Sequence, residues 1–509
     1  MSLLDTVTGD RRRLLAAVLL ILALAAFVRF YHIGWSFSSN GIDEGIMLQR
    51  SQLVHDGYML YTDIPCDQAP LAFLIGALLE GDPIALRYLE AGLSVLAIAF
   101  CMETARRIKG NTAMLLTGVL LAVDFAFLRE SRLFSLNGLS SFFLAYSVLL
   151  FVLYLQKRSR LALVGAGALI GLSTATKLFG GLGLLGMLVF MILEMRGKRA
   201  ERASRTIDIV LLAAVAAVPM VRLMLYLGPS EMLDGMVFDQ GHRSFDLFMK
   251  LSLPLYFGLN LAYALPLVRA RSLWSSGPEV RFLTIMSLVV LAYMILQPLV
   301  FFHHLAVLSP GLAILAGVFL AGSIEPKKEI PNGDSKTILS KRGCCIRREF
   351  GAVLLAGLLV SSGLAAYGLG LQEENWQSTY GERIREITSP DDWIISGDPL
   401  VTAFADRNTP PEMVNLAYRV YPDFTAEDVE NAITDYDAAV VVLCYRLNEL
   451  PILMYFSENS NYSLVAQEWL GEYNKALLDM PQDPFGPVWV FVRTDIVQAY
   501  DLPTQGWEL

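Results

Sequence analysis

Charged residues are scarce in this sequence of 509 residues: 17% are Asp, Glu, Lys or Arg, whereas 54% are hydrophobic and the mean hydropathy is +0.48. Soluble globular proteins contain about 25% charged residues. The composition therefore excludes a water-soluble enzyme. The apolar residues fall in runs of roughly 18 to 22 positions, and about 20 such residues span a bilayer as a helix. These runs predict a polytopic α-helical membrane protein.

Patterned cysteines and regular repeats are also lacking. The five cysteines show no CxxC spacing, so the sequence predicts neither a zinc site nor a disulfide framework. No repeat of fixed period is visible, whereas many transporters are built from internal repeats. The first absence leaves no zinc site to assign, and the second disfavours a transporter.

Eleven apolar segments are each able to cross the membrane. They occupy residues 14–31, 84–102, 111–128, 137–155, 161–175, 178–194, 207–227, 251–268, 282–299, 305–322 and 351–371. The first also resembles a cleaved signal peptide, with Ala23-Leu24-Ala25 as a cleavage site. Its apolar run continues to Phe30, which favours a retained anchor and about eleven transmembrane helices.

The distribution of positive charge predicts the orientation. With a cytoplasmic N-terminus, 24 of the 33 Lys and Arg residues in positions 1–371 fall on the cytoplasmic side. An excess of Lys and Arg in short loops sets the orientation of a membrane protein. Because eleven is odd, the C-terminus is then extracytoplasmic, and we expect a multi-pass protein of the cell membrane.

The charge balance divides the chain into two regions. Residues 372–509 contain 7 Lys and Arg against 24 Asp and Glu, a net charge of −17, whereas residues 1–371 carry +8. We therefore predict a membrane body in 1–371 and an acidic extracytoplasmic domain in 372–509, and no binding of nucleic acid. Strand patterns at 393–396, 438–445 and 488–493 and helix patterns at 426–434 and 463–477 indicate a small α/β domain.

Two connectors between the apolar segments are long. Residues 32–82 form a predicted outer loop, in which 46–54 and 71–79 have apolar residues at helical spacing and are expected to lie as short helices in the membrane interface. Residues 323–350 form a polar, Lys- and Arg-rich cytoplasmic linker, which we expect to lie near anionic membrane lipids.

Ionisable residues converge on the predicted outer face. They are the five histidines, Asp43, Glu44, Asp63, Arg129, Glu130, Arg132, Lys177 and Arg243. Such groups at helix ends are costly unless paired or solvated, so the cluster predicts a functional cavity. Each residue taken alone is more often a solvated loop residue.

The chemistry of that compartment narrows the choice of reaction. Nucleotide sugars are scarce outside the cell, so a transferase there needs a donor that already resides in the membrane, such as a lipid phosphate. The phosphate leaving group needs cations to hold its charge, and the attacking hydroxyl needs a base. Asp43 and Glu44 are the base candidates, and Arg129, Arg132, Lys177 and Arg243 are the phosphate candidates.

Several motifs occur together and in order. They are Gly41-Ile42-Asp43-Glu44-Gly45, His55-Asp56-Gly57, Leu60-Tyr61-Thr62-Asp63-Ile64, Pro70, Arg129-Glu130-Ser131-Arg132, Phe142-Phe143, Thr176-Lys177, His303-His304, Ser309-Pro310, Asp398-Pro399, Asp406-Arg407 and Pro410-Pro411. Their order resembles that of the GT-C membrane glycosyltransferases, in particular the dolichyl-phosphate-mannose protein mannosyltransferases and their aminoarabinose-transferase relatives. The resemblance covers nearly the whole chain.

The resemblance implies that Asp43 is the catalytic carboxylate, that the lipid phosphate lies near Arg132 and Lys177, and that transfer inverts the anomeric carbon by single displacement. It also places Tyr61 and Asp63 among the substrate-binding candidates. Many relatives have an acidic residue where this chain has Asn137, so the resemblance assigns no second carboxylate to that position, and Glu130 is the alternative.

Alternatives and partners follow from the same residues. His303 and His304 are expected to hydrogen-bond phosphate or sugar rather than to hold a metal, because adjacent helical residues point about 100° apart. No cofactor is assigned, although a divalent cation stays open. The expected partners are a lipid-linked sugar donor, a protein, lipid or glycan acceptor, and membrane lipids. The alternative function is a transporter or flippase of lipid-linked saccharides.

Overall fold

The computed structural model describes most of the chain. The described residues are 8–35, 37, 41–195, 199–238, 247, 249–268, 274, 276–324, 339–370, 375–414, 424–447, 449–469 and 487–503. Arg243 and the centre of the predicted cytoplasmic linker, residues 325–338, lie outside them.

Long apolar helices form the membrane body. They are α1 Arg11–Phe30, α4 Pro83–Val123, α6 Leu136–Lys157, α7 Arg160–Thr176, α8 Gly180–Leu193, α9 Arg199–Leu227, α13 Pro278–Leu296, α14 Ser309–Ile324 and α15 Leu339–Gly370. Shorter helices connect them: α2 Gly41–His55, α3 Leu71–Ala77, α5 Phe125–Glu130, α10 Pro229–Leu233, α11 Ser252–Leu259 and α12 Leu261–Val268. Side-chain caps fix several starts, since Asp82 accepts from the amide of Ala85 and Ser135 from that of Gly138.

Within the described residues, seven helices are long and apolar enough to span a membrane, and α7 and α8 are shorter apolar helices. Helix α4 is 41 residues long and contains the predicted segment 84–102 and most of the segment 111–128. Its helical dihedrals are interrupted at Lys109 and Gly110, where Gly110 has φ +81°. A glycine suits that turn because a side chain is strained at positive φ.

The predicted segment 251–268 is not one helix. Helix α11 ends at Leu259, and α12 begins at Leu261. The break lies at Asn260, whose φ and ψ of −116° and 56° are not helical. Helix α15 also differs from the prediction, since it begins at Leu339, inside the expected linker.

The predicted outer loop and the C-terminal region lie at the same end of the helical bundle, which we call the loop end. Helix α2 is buried there between α3 and the C-terminal region, with Leu48 and Leu53 fully buried. The sequence predicts a helix in the lipid interface at residues 46–54, but protein covers this part of α2 instead. Its neighbour α3 is followed by Leu78, which is 81% exposed and suits an interface.

The C-terminal region contains a four-stranded sheet of order β1-β2-β4-β3. The strands are β1 Ile394–Ser396, β2 Val440–Leu443, β3 Tyr462–Trp469 and β4 Pro487–Arg493, and the helices are α16 Trp376–Ile387, α17 Pro399–Ala405, α18 Ala426–Tyr436, α19 Leu450–Glu458 and α20 Thr494–Ala499. Strands β1 and β2 are parallel, and the other two pairs are antiparallel. Strand β2 is fully buried, as its run of apolar residues indicates.

One prediction for this region was wrong. Residues 463–469 belong to strand β3 and not to a helix. They pair antiparallel with β4, with a register shift between Leu464 and Ala466. The cross-strand pairing outweighs the local helical spacing of apolar residues, because strand formation depends on partners distant in sequence.

Candidate active site

Asp43 and Glu44 lie in the first turn of α2, at the loop end. Glu44 is buried and forms a bidentate ion pair with Arg87 of α4, at 2.8 Å from Nε to Oε1 and 2.5 Å from Nη2 to Oε2. Its Oε1 also accepts from the amide of Phe134 at 3.0 Å. Both carboxylate oxygens of Glu44 are therefore occupied by structural contacts.

Asp43 is half-buried, in contrast to its neighbour. Successive helical residues point about 100° apart, so the buried Glu44 anchors the turn while Asp43 projects in a different direction. The ion pair to Arg87 thereby fixes the backbone from which Asp43 extends. This division of roles favours Asp43 over Glu44 as the group that meets a substrate.

Arg132, expected near the lipid phosphate, contacts backbone carbonyls in the structure. Its buried guanidinium donates to four carbonyls at the end of α1: those of Val28, Arg29, Tyr31 and His32, at 2.7, 3.0, 2.8 and 3.2 Å. The ring of Phe37 lies 4.7 Å away and covers it. These carbonyls have no partners inside the helix, so Arg132 stabilises the end of α1.

Arg129 and Glu130 lie at the end of α5, and both are buried. Arg129 Nη1 lies 3.7 Å from Glu130 Oε1, and the amide of Asn137 donates to Glu130 Oε2 at 2.8 Å. Asn137, at the position where the family resemblance implies an acidic residue, therefore holds Glu130 in place. The hydrogen bond between Asn137 and Glu130 therefore keeps the Glu130 carboxylate next to Asn137.

Lys177 follows α7 and is 9% exposed. Its ammonium lies 4.9 Å from the centre of the Phe179 ring, and the His304 ring lies 5.1 Å from the same ring. The charges of Lys177 and Arg129 both act on the Glu130 carboxylate. Lys177, Arg129 and His304 thus belong to one neighbourhood around Glu130 and Phe179.

Two expected substrate contacts shape the loop itself. The hydroxyl of Tyr61 donates to the carbonyl of Gln68 at 2.6 Å, and Asp63 Oδ2 accepts from the amide of Met59 at 2.8 Å. His303 packs against His304 with ring centres 4.5 Å apart. In the part of the chain that the structure describes, no group of three His, Cys, Asp or Glu residues is arranged to hold a metal ion.

The sequence reasoning missed Arg87 and Glu90, which lie one turn apart on α4 and are both buried. An Arg and a Glu three positions apart near the start of an apolar helix are a usable signal, because charges in such helices are costly unless partnered. Glu90 lies beside the Glu44 and Glu130 carboxylates, whose charges act on it.

Asp398 of the C-terminal region also approaches this site. It caps α17 by accepting from the amide of Leu400 at 3.0 Å, and it accepts from the side chain of Gln377 at 3.0 Å. Complete burial raises the pKa of Asp398 to about 6, and the charge of Glu44 contributes to the rise. A carboxyl with a raised pKa binds its proton more tightly in the folded than in the unfolded chain.

We expect this shift to lower stability as pH rises. The ordinary pKa of the Asp398 carboxyl is 3.8, so between about pH 4 and pH 6 the unfolded chain releases a proton that the folded chain retains. The free energy of unfolding should fall by up to about 3 kcal/mol across this window and stay low above it. Asp398→Asn retains the acceptor for Leu400 and should remove this loss.

Thermal unfolding of both proteins in detergent from pH 4.5 to pH 8 measures the effect. The variant should be more stable than the parent at pH 7 and 8, and the difference should shrink towards pH 4.5. A difference that does not change with pH would contradict a shifted pKa at Asp398.

Comparisons with known proteins agree with the motifs. A profile of the family described as dolichyl-phosphate-mannose-protein mannosyltransferase matches residues 69–223. No curated protein matches the chain in sequence. Among solved structures, ArnT from Cupriavidus metallidurans in the apo state has a TM-score of 0.64 at 15% identity, with 95% of this chain and 99% of that chain covered.

Two structures with lipids bound are also similar. ArnT from Cupriavidus metallidurans bound to undecaprenyl phosphate has a TM-score of 0.59 at 16% identity, covering 96% of this chain and 99% of that one. The oligosaccharyltransferase AglB from Archaeoglobus fulgidus, in complex with an inhibitory peptide and a dolichol-phosphate, has a TM-score of 0.50 at 12% identity, covering 84% and 69%. The chain therefore has the fold of the GT-C membrane glycosyltransferases, and it resembles their protein mannosyltransferase and ArnT-like members, as its motifs predicted.

Proposed function

We propose that this protein transfers a sugar from a polyprenyl or dolichyl phosphate to an acceptor at the loop end, which is the extracytoplasmic face. Asp43 acts as general base and removes the proton from the acceptor hydroxyl as its oxygen attacks the anomeric carbon. The bond from that carbon to the lipid phosphate breaks in the same step, so the configuration inverts. The phosphate leaves with its charge held by Lys177 and Arg129.

The observation that carries this proposal is the contrast between the two adjacent carboxylates. Glu44 is committed to Arg87 and to the amide of Phe134, whereas Asp43 is half-buried at the same turn. The amide of Phe134 connects this turn to the loop that follows Glu130. The turn that carries Asp43 is therefore linked through Phe134 and Ser135 to Glu130, around which the cations lie.

The similar structures support the choice of donor. ArnT of Cupriavidus metallidurans and AglB of Archaeoglobus fulgidus bind a polyprenyl phosphate and a dolichol-phosphate, respectively. A transferase of this fold needs no nucleotide, because a lipid phosphate is already a good leaving group. The sugar and the acceptor, whether protein, lipid or glycan, are properties to be measured.

The direct test uses the purified full-length protein with radiolabelled polyprenyl- and dolichyl-phosphate sugars in detergent micelles. Release of the sugar to water or its transfer to host envelope extract is the expected result. Failure to release or transfer the sugar from every lipid-phosphate donor of the host would overturn the proposed function. Movement of the donor across vesicle membranes without cleavage would support a flippase in its place.

We expect Lys177→Gln to weaken the use of the donor. A charge-assisted hydrogen bond to phosphate is worth about 1.5 to 3 kcal/mol, which corresponds to a loss of roughly 10-fold to 150-fold in kcat/KM for the donor. The matched control is Lys157→Gln, at the exposed last turn of α6. Equal kcat/KM values for the two variants would move the phosphate site away from Lys177.

A further inference from the structure

Helix α17 of the C-terminal region lies directly against the start of α2. Gly45 marks the contact: a Cβ at this position would lie 2.7 Å from the carbonyl carbon of Pro399 and still closer to the backbone nitrogen of Leu400. Both obstacles are backbone atoms, so no side-chain rotation would relieve them. A residue other than glycine would force the two helices apart.

A second contact holds the segment after α17 to the same helix. Gln49, fully buried on α2, donates from Nε2 to the carbonyl of Arg407 at 3.0 Å and accepts at Oε1 from the amide of Thr409 at 3.0 Å. One side chain therefore satisfies an acceptor and a donor of the C-terminal backbone. Such a two-point contact fixes direction as well as distance.

Helix α17 also covers the ion pair of Glu44, the neighbour of Asp43. The Phe404 ring lies 5.7 Å from the guanidinium carbon of Arg87, the partner of Glu44. Leu400 and Ala403 are buried in the same apolar cluster as Ile46 and Leu48 of α2. The C-terminal region is thus packed into the membrane body at the turn that carries Asp43.

We propose that α17 is a positioning element for the catalytic turn, and that Gly45, Gln49 and Phe404 are its positioning residues. This inference rests on the proposed role of Asp43. The C-terminal region supplies no reacting group; it holds α2 so that the Asp43 carboxylate meets the acceptor hydroxyl at the required angle. The acidic region thereby acts on the rate of transfer while the cations of the membrane body bind the donor.

The physical reason is the sensitivity of proton transfer to geometry. A misplacement of about 1 Å costs roughly 100-fold in rate. Inserting a methyl group at Gly45 must displace either α2 or α17 by a comparable distance, because the Pro399 carbonyl carbon would lie at only 2.7 Å. Donor binding at Lys177 and Arg129 involves other elements and should change little.

The test compares Gly45→Ala with Gly92→Ala in the full-length protein. Gly92 lies on α4, and a Cβ there meets nothing within 4 Å, so it controls for the substitution itself. We expect Gly45→Ala to lower kcat about 10-fold to 100-fold, with the KM for a labelled lipid-phosphate donor within twofold of the parent. Gly92→Ala should match the parent in both.

Phe404→Leu is the second variant, since it keeps an apolar side chain but removes the ring over Arg87. It should also lower kcat at unchanged donor KM. Adding either substitution to Asp43→Asn should cause no further loss, because the base that they position is then absent. Unchanged kcat in both single variants, or losses that multiply with that of Asp43→Asn, would overturn the positioning role.

Hydrogen exchange separates this inference from the proposed function. In Gly45→Ala, the amides of residues 43–50 should exchange faster, while those of α4 stay protected. Unchanged exchange in 43–50 would overturn the inference even if Asp43 is the base. Faster exchange together with full activity of Asp43→Asn would overturn the assignment of the base and leave the contact between α17 and α2 established.

Discussion

Asp43→Asn is expected to lower the rate of sugar transfer by about 10² to 10⁴, the usual contribution of a positioned general base. The amide has nearly the same shape as the carboxylate, but it does not accept a proton at neutral pH. Because Asp43 is half-buried at the first turn of α2, the substitution should disturb packing little. Single-turnover transfer from a labelled lipid-phosphate sugar measures the loss.

Two measurements on the same variant make this expectation specific. The thermal unfolding midpoint in detergent and the Kd for the donor should both stay close to those of the parent. A low rate that is accompanied by weak donor binding would assign Asp43 to substrate binding instead. A rate within threefold of the parent would remove Asp43 from the reaction.

Arg87→Met is expected to produce the opposite pattern, a large loss of stability. Arg87 and Glu44 are both about 2% exposed, and removing one partner of a buried ion pair costs about 3 to 5 kcal/mol because the other charge stays buried alone. Arg87 also donates to the carbonyls of Ile33 and Gly34, each at 3.1 Å. These two carbonyls would lose their donor as well.

The double variant Arg87→Met/Glu44→Gln provides the control. Removing both charges should recover part of the stability, since no unpaired charge is then buried. Denaturation midpoints in detergent for the parent, both single variants and the double variant form a complete cycle. Additive losses would show that Arg87 and Glu44 do not stabilise one another.

The end of the bundle at which Asp43 and Glu44 lie was predictable, because it depends on local patterns. Each apolar run ends near the surface of the bilayer, and the ionisable residues that follow the outward-going runs lie on the same side of the membrane. Because Asp43 and Glu44 follow the first apolar run, the sequence alone places them at the loop end. The contrast between them was not predictable, since it depends on Arg87, which lies 43 positions from Glu44.

The contacts of Arg132 were also not predictable from the sequence. The sequence places a cation at the correct end of the molecule, but its partners are backbone carbonyls about 100 positions earlier. Backbone carbonyls have no sequence signature, so a clamp on a helix end and a phosphate ligand look alike. Strand β3 was not predicted for a similar reason: its partner β4 begins 18 positions after β3 ends.

The clamp on α1 has a consequence for biosynthesis. Arg132 donates to His32, 100 positions before it, and a ribosome adds about 5 to 20 residues per second, so roughly 5 to 20 s pass between their emergence. During that interval the carbonyls of Val28, Arg29 and Tyr31 lack the Arg132 donor. Arg29 of α1 donates to Ser94 of α4, which emerges earlier, so α1 can pack against α4 before Arg132 closes the clamp on its end.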